Sequence, residues 1–338
     1  MKKWLINARE GATAQSTIPS VLAAVMAIGA AGFNVWMALL GILGVKCAHL
    51  AMNLIDDYHD YRADMLQDRL GVVRQGFKAY TAKYPYLTDG SATVKDLKTA
   101  IAAFTAVALV CGGVIFVFRT IQNGFLGADG SVWMLVCVAL AAFLGWFYSA
   151  PPIKFCYWGA GEAVIGLIFG PLLMIGMSYA AAGSFVPQIG ILSIPVGLLV
   201  MNILYTHSFI DEKGDKASGK ITLAGMIHSN GGKLAVAVVL NFLPFVIVLV
   251  AVALGWVHPA YLAVFLALPR AVWLIKSLVA FTRGGDIPIH WWLGPMGNHE
   301  AIVKAGLNWY LDRWFTARNL LTLYCLIIAA VRIILIFV

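Results

Sequence analysis

The chain has 338 residues, 61% hydrophobic and 12% charged, with a formal net charge of +8 and a mean hydropathy of +0.84. A soluble domain is about half apolar and about a quarter charged, so this composition excludes one and demands a protein embedded in a lipid bilayer. The positive charge does not argue for nucleic acid, because polytopic membrane proteins retain Lys and Arg in their cytoplasmic loops.

The opening MKKWLINAREGATAQSTIPS is basic and amphipathic, with no uninterrupted apolar core before a small-residue cleavage site, so no removable signal peptide is expected. Apolar stretches near the ~20 residues that cross a bilayer follow at 17–32, 35–56, 98–118, 132–149, 160–182, 189–209, 233–255, 259–281 and 318–337. The expected fold is therefore an all-α polytopic bundle of about nine transmembrane helices. No linker or low-complexity tract divides 1–338, so a single domain is expected. The scattered cysteines Cys47, Cys111, Cys137, Cys156 and Cys325 read as buried small hydrophobes.

Basic residues collect on alternate connections. Lys2, Lys3 and Arg9 precede the first span; Arg62, Arg69, Arg74, Lys78, Lys83 and Lys95 follow the second. Lys213, Lys216 and Lys220 follow the sixth, and Arg283, Lys304, Arg313 and Arg318 the eighth, against only Arg119 and Arg332 near opposite ends. That asymmetry puts the amino terminus in the cytoplasm of a cell whose inner (plasma) membrane holds the chain. The long inner loops lie near 60–97, 210–232 and 283–317, and the chemistry is expected on their side, in a cavity facing the cytoplasm. Segment 283–317 mixes apolar and aromatic residues with charges, as a helix lying in the interface would, and its Trp291 and Trp292 read as an aromatic belt.

The second span ends in NLIDDYHDYRAD, residues 53–64. At about 100° per residue, Asn53, Asp57, Asp60 and Asp64 share one helix stripe, which continues backwards to His49 and Lys46. A solvated helix end explains the last aspartates but not ionisable groups within the span, which need partners or water. Carboxylates one turn apart cannot all stay ionised without a cation. Hard oxygen ligands in such a row suit Mg²⁺, which binds through one or two carboxylates plus substrate phosphates, so a metal-bound diphosphate is the natural guest. The sixth span ends in HSFIDEKGDKASGKITLA, residues 207–224, where Asp211 and Asp215 again lie four apart among lysines.

With both clusters in view the sequence resembles the UbiA superfamily of intramembrane prenyltransferases. The first cluster is similar to that family's N-D-x-x-D-x(3 or 4)-D motif, with Asp56 where Asn is common and Asn53 as an alternative amide one turn earlier. DEKGDKASGKITLA is similar to its D-x-x-x-D-x-x-A-G-K-x-T-L-A segment, departing at Ser218. YSAPPIKFCYWGAGEAVIGLIFGP, from Tyr148 to Pro171, resembles its Y-S/T-x-P-P-x-K stretch and, through G-x-G-E and F-G-P, the menaquinone branch. The resemblance spans residues 9 to about 225 and beyond that rests on helix pattern alone. The tract 69–97 is longer than the family's loop, and Ser91 or Thr93 is placed to cap the third helix.

The resemblance implies two or more Mg²⁺ ions held by Asp57, Asp60, Asp64, Asp211 and Asp215, bridging to the diphosphate of a polyprenyl diphosphate. It implies a substrate surface including Lys46, Asn53, Asp56, Arg62, Tyr148, Lys154, Glu162 and Lys220, with Lys154 favoured for phosphate contact. For Glu162 a capping carboxylate near the helix start is the plainer alternative. His49, His59 and His207 stand close enough in sequence to serve as a base. The acceptor implied is an aromatic ring, 1,4-dihydroxy-2-naphthoate giving demethylmenaquinone with loss of carbon dioxide and diphosphate. A benzoate, a homogentisate, a porphyrin side chain or a glycerol phosphate are the alternatives within the superfamily. A cation transporter would need acidic residues near mid-bilayer in broken helices, which the sequence does not offer. A scaffold without chemistry would leave the Lys46–His49–Asn53 stripe unexplained.

Overall fold

A computed structural model of the chain describes residues 2–67, 84–217 and 219–337, with residues 2, 63–67 and 217 described in backbone only. Among these residues the regular structure is helical throughout. The principal helices are α1 (Ala14–Ala27), α2 (Val35–Gln67), α3 (Val94–Asn123) and α4 (Val132–Trp146). After them come α5 (Gly161–Ala182), α6 (Pro187–Ile210), α7 (Asn230–Ala253), α8 (Pro259–Thr282) and α9 (Asn308–Phe337).

Seven of them, α2, α3 and α5 to α9, are long and apolar enough to cross a membrane. The other two expected spans form helices but fall short of the ~20 residues a crossing needs: α1 has 14 residues and α4 has 15. The chain is thus a multi-pass membrane protein, and among the described residues seven of the nine expected spans reach crossing length.

Local chemistry sets the helix ends. Of the two candidate caps before α3, Thr93 is the one used: its Oγ1 accepts from the Asp96 amide at 3.2 Å, and Asp96 Oδ2 accepts from the Thr93 amide at 2.9 Å. That reciprocal box satisfies two orphan donors and contributes about 1 kcal/mol. Ser91 instead uses its amide in the preceding turn, donating to Asp89 Oδ1 at 2.7 Å. Within α5 the turn Ile168–Leu172 is π-helical and contains Pro171, whose missing N–H removes one ladder bond.

The described residues fall into two compact units. One comprises those of Met1–Gly71, Thr81–Lys154 and Leu167–Ser193; the other those of Phe155–Gly166 and Ile194–Val338. In the first, α2 packs along α3, and Gly44 allows a close approach, since a Cβ there would lie 3.1 Å from the Cys111 Cβ. The start of α2 and the end of α5 are tied together by Arg119, which is 2% exposed. Its guanidinium donates to the carbonyls of Gly32 at 3.0 Å, Ala180 at 2.8 Å and Ala181 at 2.7 Å. These are loop and last-turn carbonyls that no helix bond reaches.

In the second unit α6 to α9 enclose an apolar core that includes Leu199, Ile203, Phe245, Leu274 and Leu321, all buried. Two fully buried amides, Asn202 and Asn241, exchange hydrogen bonds at 3.1 and 3.0 Å between α6 and α7.

The segment expected to form an interfacial helix over 283–317 does not. It runs irregularly from Arg283, makes one short turn at Trp291–Leu293 and a six-residue helix at His299–Lys304, and α9 then starts at Asn308. Its carbonyls are held by side chains of the flanking helices. Trp273 Nε1 donates to Pro288 O at 3.0 Å, Arg270 Nε to Trp292 O at 3.0 Å, and Asn319 Nδ2 to Leu293 O and Pro295 O at 3.1 and 3.0 Å. Arg270 stands about 18 Å along α8 from its Thr282 end, so the segment lies well down the helix pair. Irregular backbone is tolerated there because protein groups satisfy it. Leu293 and Met296 pack on Trp273, while Trp291 is 91% exposed.

Candidate functional site

The first acidic cluster sits on α2, which continues unbroken through it, so the four-three-four spacing holds. The stripe faces inward: Asp57 is 0% and Asp60 6% exposed, with His49 also buried. Asp64 lies outside the residues whose side chains are described, as does the tract 68–83 with Arg69, Arg74, Lys78 and Lys83.

Much of this stripe is met by the amino-terminal segment. Arg9 Nη1 donates to Asp57 Oδ1 at 2.5 Å, its Nη2 donates to Asn53 O at 3.1 Å, and Asp56 is 3.9 Å away. Tyr86 Oη donates to the other Asp57 oxygen at 2.8 Å. Lys46 Nζ pairs with Glu10 at 2.6 Å, Asn53 Nδ2 donates to Ala8 O at 2.9 Å, and His49 Nδ1 is hydrogen-bonded to Ser16 Oγ at 2.7 Å.

Burial alone would lower the Arg9 pKa, but the Asp57 and Asp56 carboxylates outweigh it and raise the value. Burial first and Asp57 second push the Tyr86 phenol up, so it stays a protonated donor. Asp57, expected as a metal ligand, is thus already bonded through both oxygens. Arg9, Glu10 and Tyr86 are the residues sequence reasoning missed. In the sequence Arg9 is one of several positive charges at the amino terminus, and nothing there links Tyr86 to Asp57.

Around this cluster, Arg62 is exposed and donates to Tyr58 Oη at 3.2 Å. His59 lies edge-on to Trp146, ring centroids 5.7 Å apart, and within electrostatic reach of Lys154. Tyr148 is half-buried at the end of α4, ahead of the Pro151–Pro152 turn, which has a cis peptide. Among the described residues Arg9 and Lys154 are the non-glycine positions of positive φ, at 55° and 53°. That left-handed backbone is uncommon for residues with a Cβ.

The second cluster lies in the other unit. His207, Asp211 and Asp215 stack one turn apart, because the Asp211 amide donates to His207 O at 2.9 Å and the Asp215 amide to Asp211 O at 3.0 Å. A ring nitrogen of His207 and a carboxylate oxygen from each aspartate lie within 4.8 Å of one another. The aspartates are 2% and 4% exposed. Two carboxylates so close and so buried cannot both keep full charge without a cation. The donor set therefore fits a divalent ion, and among the described residues this motif, not the first, gathers three ligand atoms.

The His207 Nδ1 also meets the hydroxyl of Tyr310 on α9, a residue that no sequence signal pointed to. Beside the cluster, burial would raise the Glu212 pKa, but hydrogen bonds from Lys216 at 2.6 Å and Lys233 at 2.5 Å outweigh it and hold the carboxyl below its ordinary value. Lys220 lies over the Tyr157 ring, 5.8 Å from its centroid. Glu162, 3% exposed near the start of α5, accepts from Ser208 Oγ at 2.8 Å and from the Leu223 amide at 3.1 Å.

A multi-pass helical protein that buries aspartates at the ends of its spans belongs among membrane enzymes and carriers of polar or metal-bound ligands. The sequence narrows that class: residues 17–287 match the UbiA prenyltransferase family, and the chain belongs to that family. Curated relatives named 1,4-dihydroxy-2-naphthoate octaprenyltransferase include one from Bacillus subtilis, 22% identical over 78% of each chain. Another, from Mycobacterium tuberculosis, is 26% identical over 71% of this chain and 77% of its own. The fold is similar to the solved structure of a digeranylgeranylglyceryl phosphate synthase, with TM-score 0.60 and 16% identity over 98% of each chain. It is also similar to a UbiA homologue from Archaeoglobus fulgidus bound to GPP and Mg²⁺, with TM-score 0.54 and 17% identity over 97% of this chain and 99% of that one.

Proposed function

We propose that the chain transfers a polyprenyl group from a polyprenyl diphosphate to 1,4-dihydroxy-2-naphthoate, at the cytoplasmic face of the cell membrane. The observation that carries the reading is the buried His207, Asp211 and Asp215 group, set in a DEKGDKASGKITLA segment, in a chain whose relatives bear that activity's name.

In the reaction the allylic C–O bond breaks and its electron pair leaves with diphosphate. A ring carbon of the acceptor forms the new C–C bond. Carbon dioxide departs, its bonding pair restores the ring, and the product is the quinol form of the demethylated menaquinone. When bound, Mg²⁺ would neutralise charge on the leaving diphosphate.

The chain's own residues do the rest. In this reading Asp211 and Asp215 would hold a cation in one unit, and the carboxylates of Asp56 and Asp60 would do so in the other. Asp64 completes the first motif in this reading. Asp57 keeps its place in the motif while its bonds to Arg9 and Tyr86 orient the stripe. Lys154 and Lys220 supply charge-assisted donors to phosphate oxygens, and the Tyr148 ring flanks the allylic end. The apolar helix walls take the prenyl tail from the lipid.

The test uses purified chain in detergent with all-trans polyprenyl diphosphates and Mg²⁺, with and without the naphthoate, the product being identified by mass. Diphosphate release that needs both, with a prenylated and decarboxylated product, is expected. Release supported only by a benzoate, a homogentisate, a porphyrin or a glycerol phosphate would keep prenyl transfer and replace the acceptor. Asp60→Asn and Asp211→Asn should each abolish release while leaving the fold intact; wild-type release from both would discard the aspartate assignment.

A further inference from the structure

Glu162 has a role that its expected place on the substrate surface does not describe. Its Oε1 takes both of its inter-element bonds, from the Ser208 hydroxyl at 2.8 Å and from the Leu223 amide at 3.1 Å. Ser208 lies on α6 next to His207 and three residues before Asp211. Leu223 opens the short helix Leu223–Met226, three residues after Lys220. One buried carboxylate oxygen therefore joins the helix that carries the acidic motif to the strand of chain that carries its lysine.

The same chain segment is pinned at two neighbouring points. The Lys220 amide donates to Asp215 O at 3.0 Å, and the Gly159 amide donates to Ile221 O at 2.7 Å. Gly159 and Glu162 flank the start of α5, so that helix end grips residues 221–223 from two sides. That oxygen is thus already met by two protein donors, and the residue is 3% exposed.

We propose that Glu162 is a positioning residue: it fixes the GKITLA turn against α6 and thereby sets Lys220 and the Asp211–Asp215 pair for a diphosphate-bound cation. This deepens the prenyl-transfer reading and rests on it for the identity of the ligand. Only acceptor capacity at Oε1 is required, so an amide oxygen can replace the carboxylate there, whereas a residue that contacted the cation or phosphate would need its charge.

The experiment compares Glu162→Gln, Glu162→Ala and Ser208→Ala in the full chain in detergent, by two readouts. One is the Mg²⁺ concentration needed for half-maximal diphosphate release. The other is the rate at which trypsin cuts after Lys220, with the fragment identified by mass, which requires no activity. Glu162→Ala should raise the Mg²⁺ requirement at least about tenfold, the scale of outer-shell losses, and speed cleavage by a similar factor. Ser208→Ala should do both at least about twofold, and Glu162→Gln should stay within about threefold of wild type.

A Gln variant as impaired as the Ala variant would overturn the proposal in favour of a direct charge role. Cleavage at the wild-type rate in Glu162→Ala, or in Ser208→Ala should the former not fold, would overturn it too. If the wild-type chain transferred no prenyl group to any acceptor, the function reading would fall, while the cleavage rates would still decide whether Glu162 holds the turn.

Discussion

Arg9 and Asp57, 48 residues apart, form a 2.5 Å ion pair in which the aspartate is fully buried and the arginine one-third exposed. The pair explains how a carboxylate is kept inside an apolar helix packing: one oxygen takes the guanidinium, the other the Tyr86 hydroxyl. Removing the cation leaves an uncompensated buried charge. Arg9→Met is expected to lower stability by about 2 kcal/mol, the scale of a hydrogen bond to a charged group. Thermal unfolding in detergent, together with faster amide exchange over residues 2–13, would register it. An unchanged melting temperature would mean that the contact contributes nothing.

A second charged group gives a pH signature. Glu212, bonded to Lys216 and Lys233, has its folded pKa held below the ordinary value. The stabilisation is present above the unfolded carboxyl pKa of about 4.3 and is lost as pH falls through the folded value. Glu212→Gln should therefore cost about 2 kcal/mol at neutral pH, because it leaves the buried Lys233 ammonium, 7% exposed, without its counter-charge. The gap from wild type should close below about pH 4. A gap that stayed constant from pH 7 to 3.5 would show that packing, not charge, is what the substitution removes.

The helices and both acidic motifs were legible because periodicity and charge are local properties of the sequence. Asp57 and Asp60 could be placed on one face from spacing alone, and α2 puts them there. What spacing could not show was which partner each group finds. Lys46 needed one, yet nothing local distinguished Glu10 on the amino-terminal segment from a substrate phosphate. The same holds for Tyr310, which reaches His207 from 103 residues away. Segment 283–307 misled for another reason: its mixture of aromatic and charged residues fits an interfacial helix, but Arg270 and Asn319 on the flanking helices offer its carbonyls better partners than its own amides do.

Arg119 separates stability from chemistry. It is 2% exposed and holds the carbonyls of Gly32, Ala180 and Ala181, at the end of α2 remote from Asp57, about 33 Å along the helix. Arg119→Met keeps the apolar stem but strands the Gly32 and Ala180 carbonyls, while Ala181 O keeps the Asn34 amide at 2.8 Å; the cost is about 1–3 kcal/mol for each group left unsatisfied. Its melting temperature should fall by several degrees, while the protein that remains folded should release diphosphate with wild-type Mg²⁺ dependence. A changed Mg²⁺ requirement would connect this knot to the acidic motif.

Asn319 provides the sharpest test of the irregular segment. Its amide nitrogen donates to both Leu293 O and Pro295 O, and its own backbone carbonyl accepts from Arg270 Nη1 at 2.7 Å. It is 3% exposed, so water cannot take over the two carbonyls readily. Asn319→Leu retains a similar volume in α9 and removes only the donors. The expected result is amide exchange over 287–297 accelerated by about tenfold or more, corresponding to about 1.4 kcal/mol or more of lost local stability. Exchange within α8 and α9 should change far less, since their ladders are intact. If 287–297 exchanged at the wild-type rate, the apolar contacts of Leu293 and Met296 with Trp273 would be sufficient to hold the segment, and the Asn319 bonds would be incidental to it.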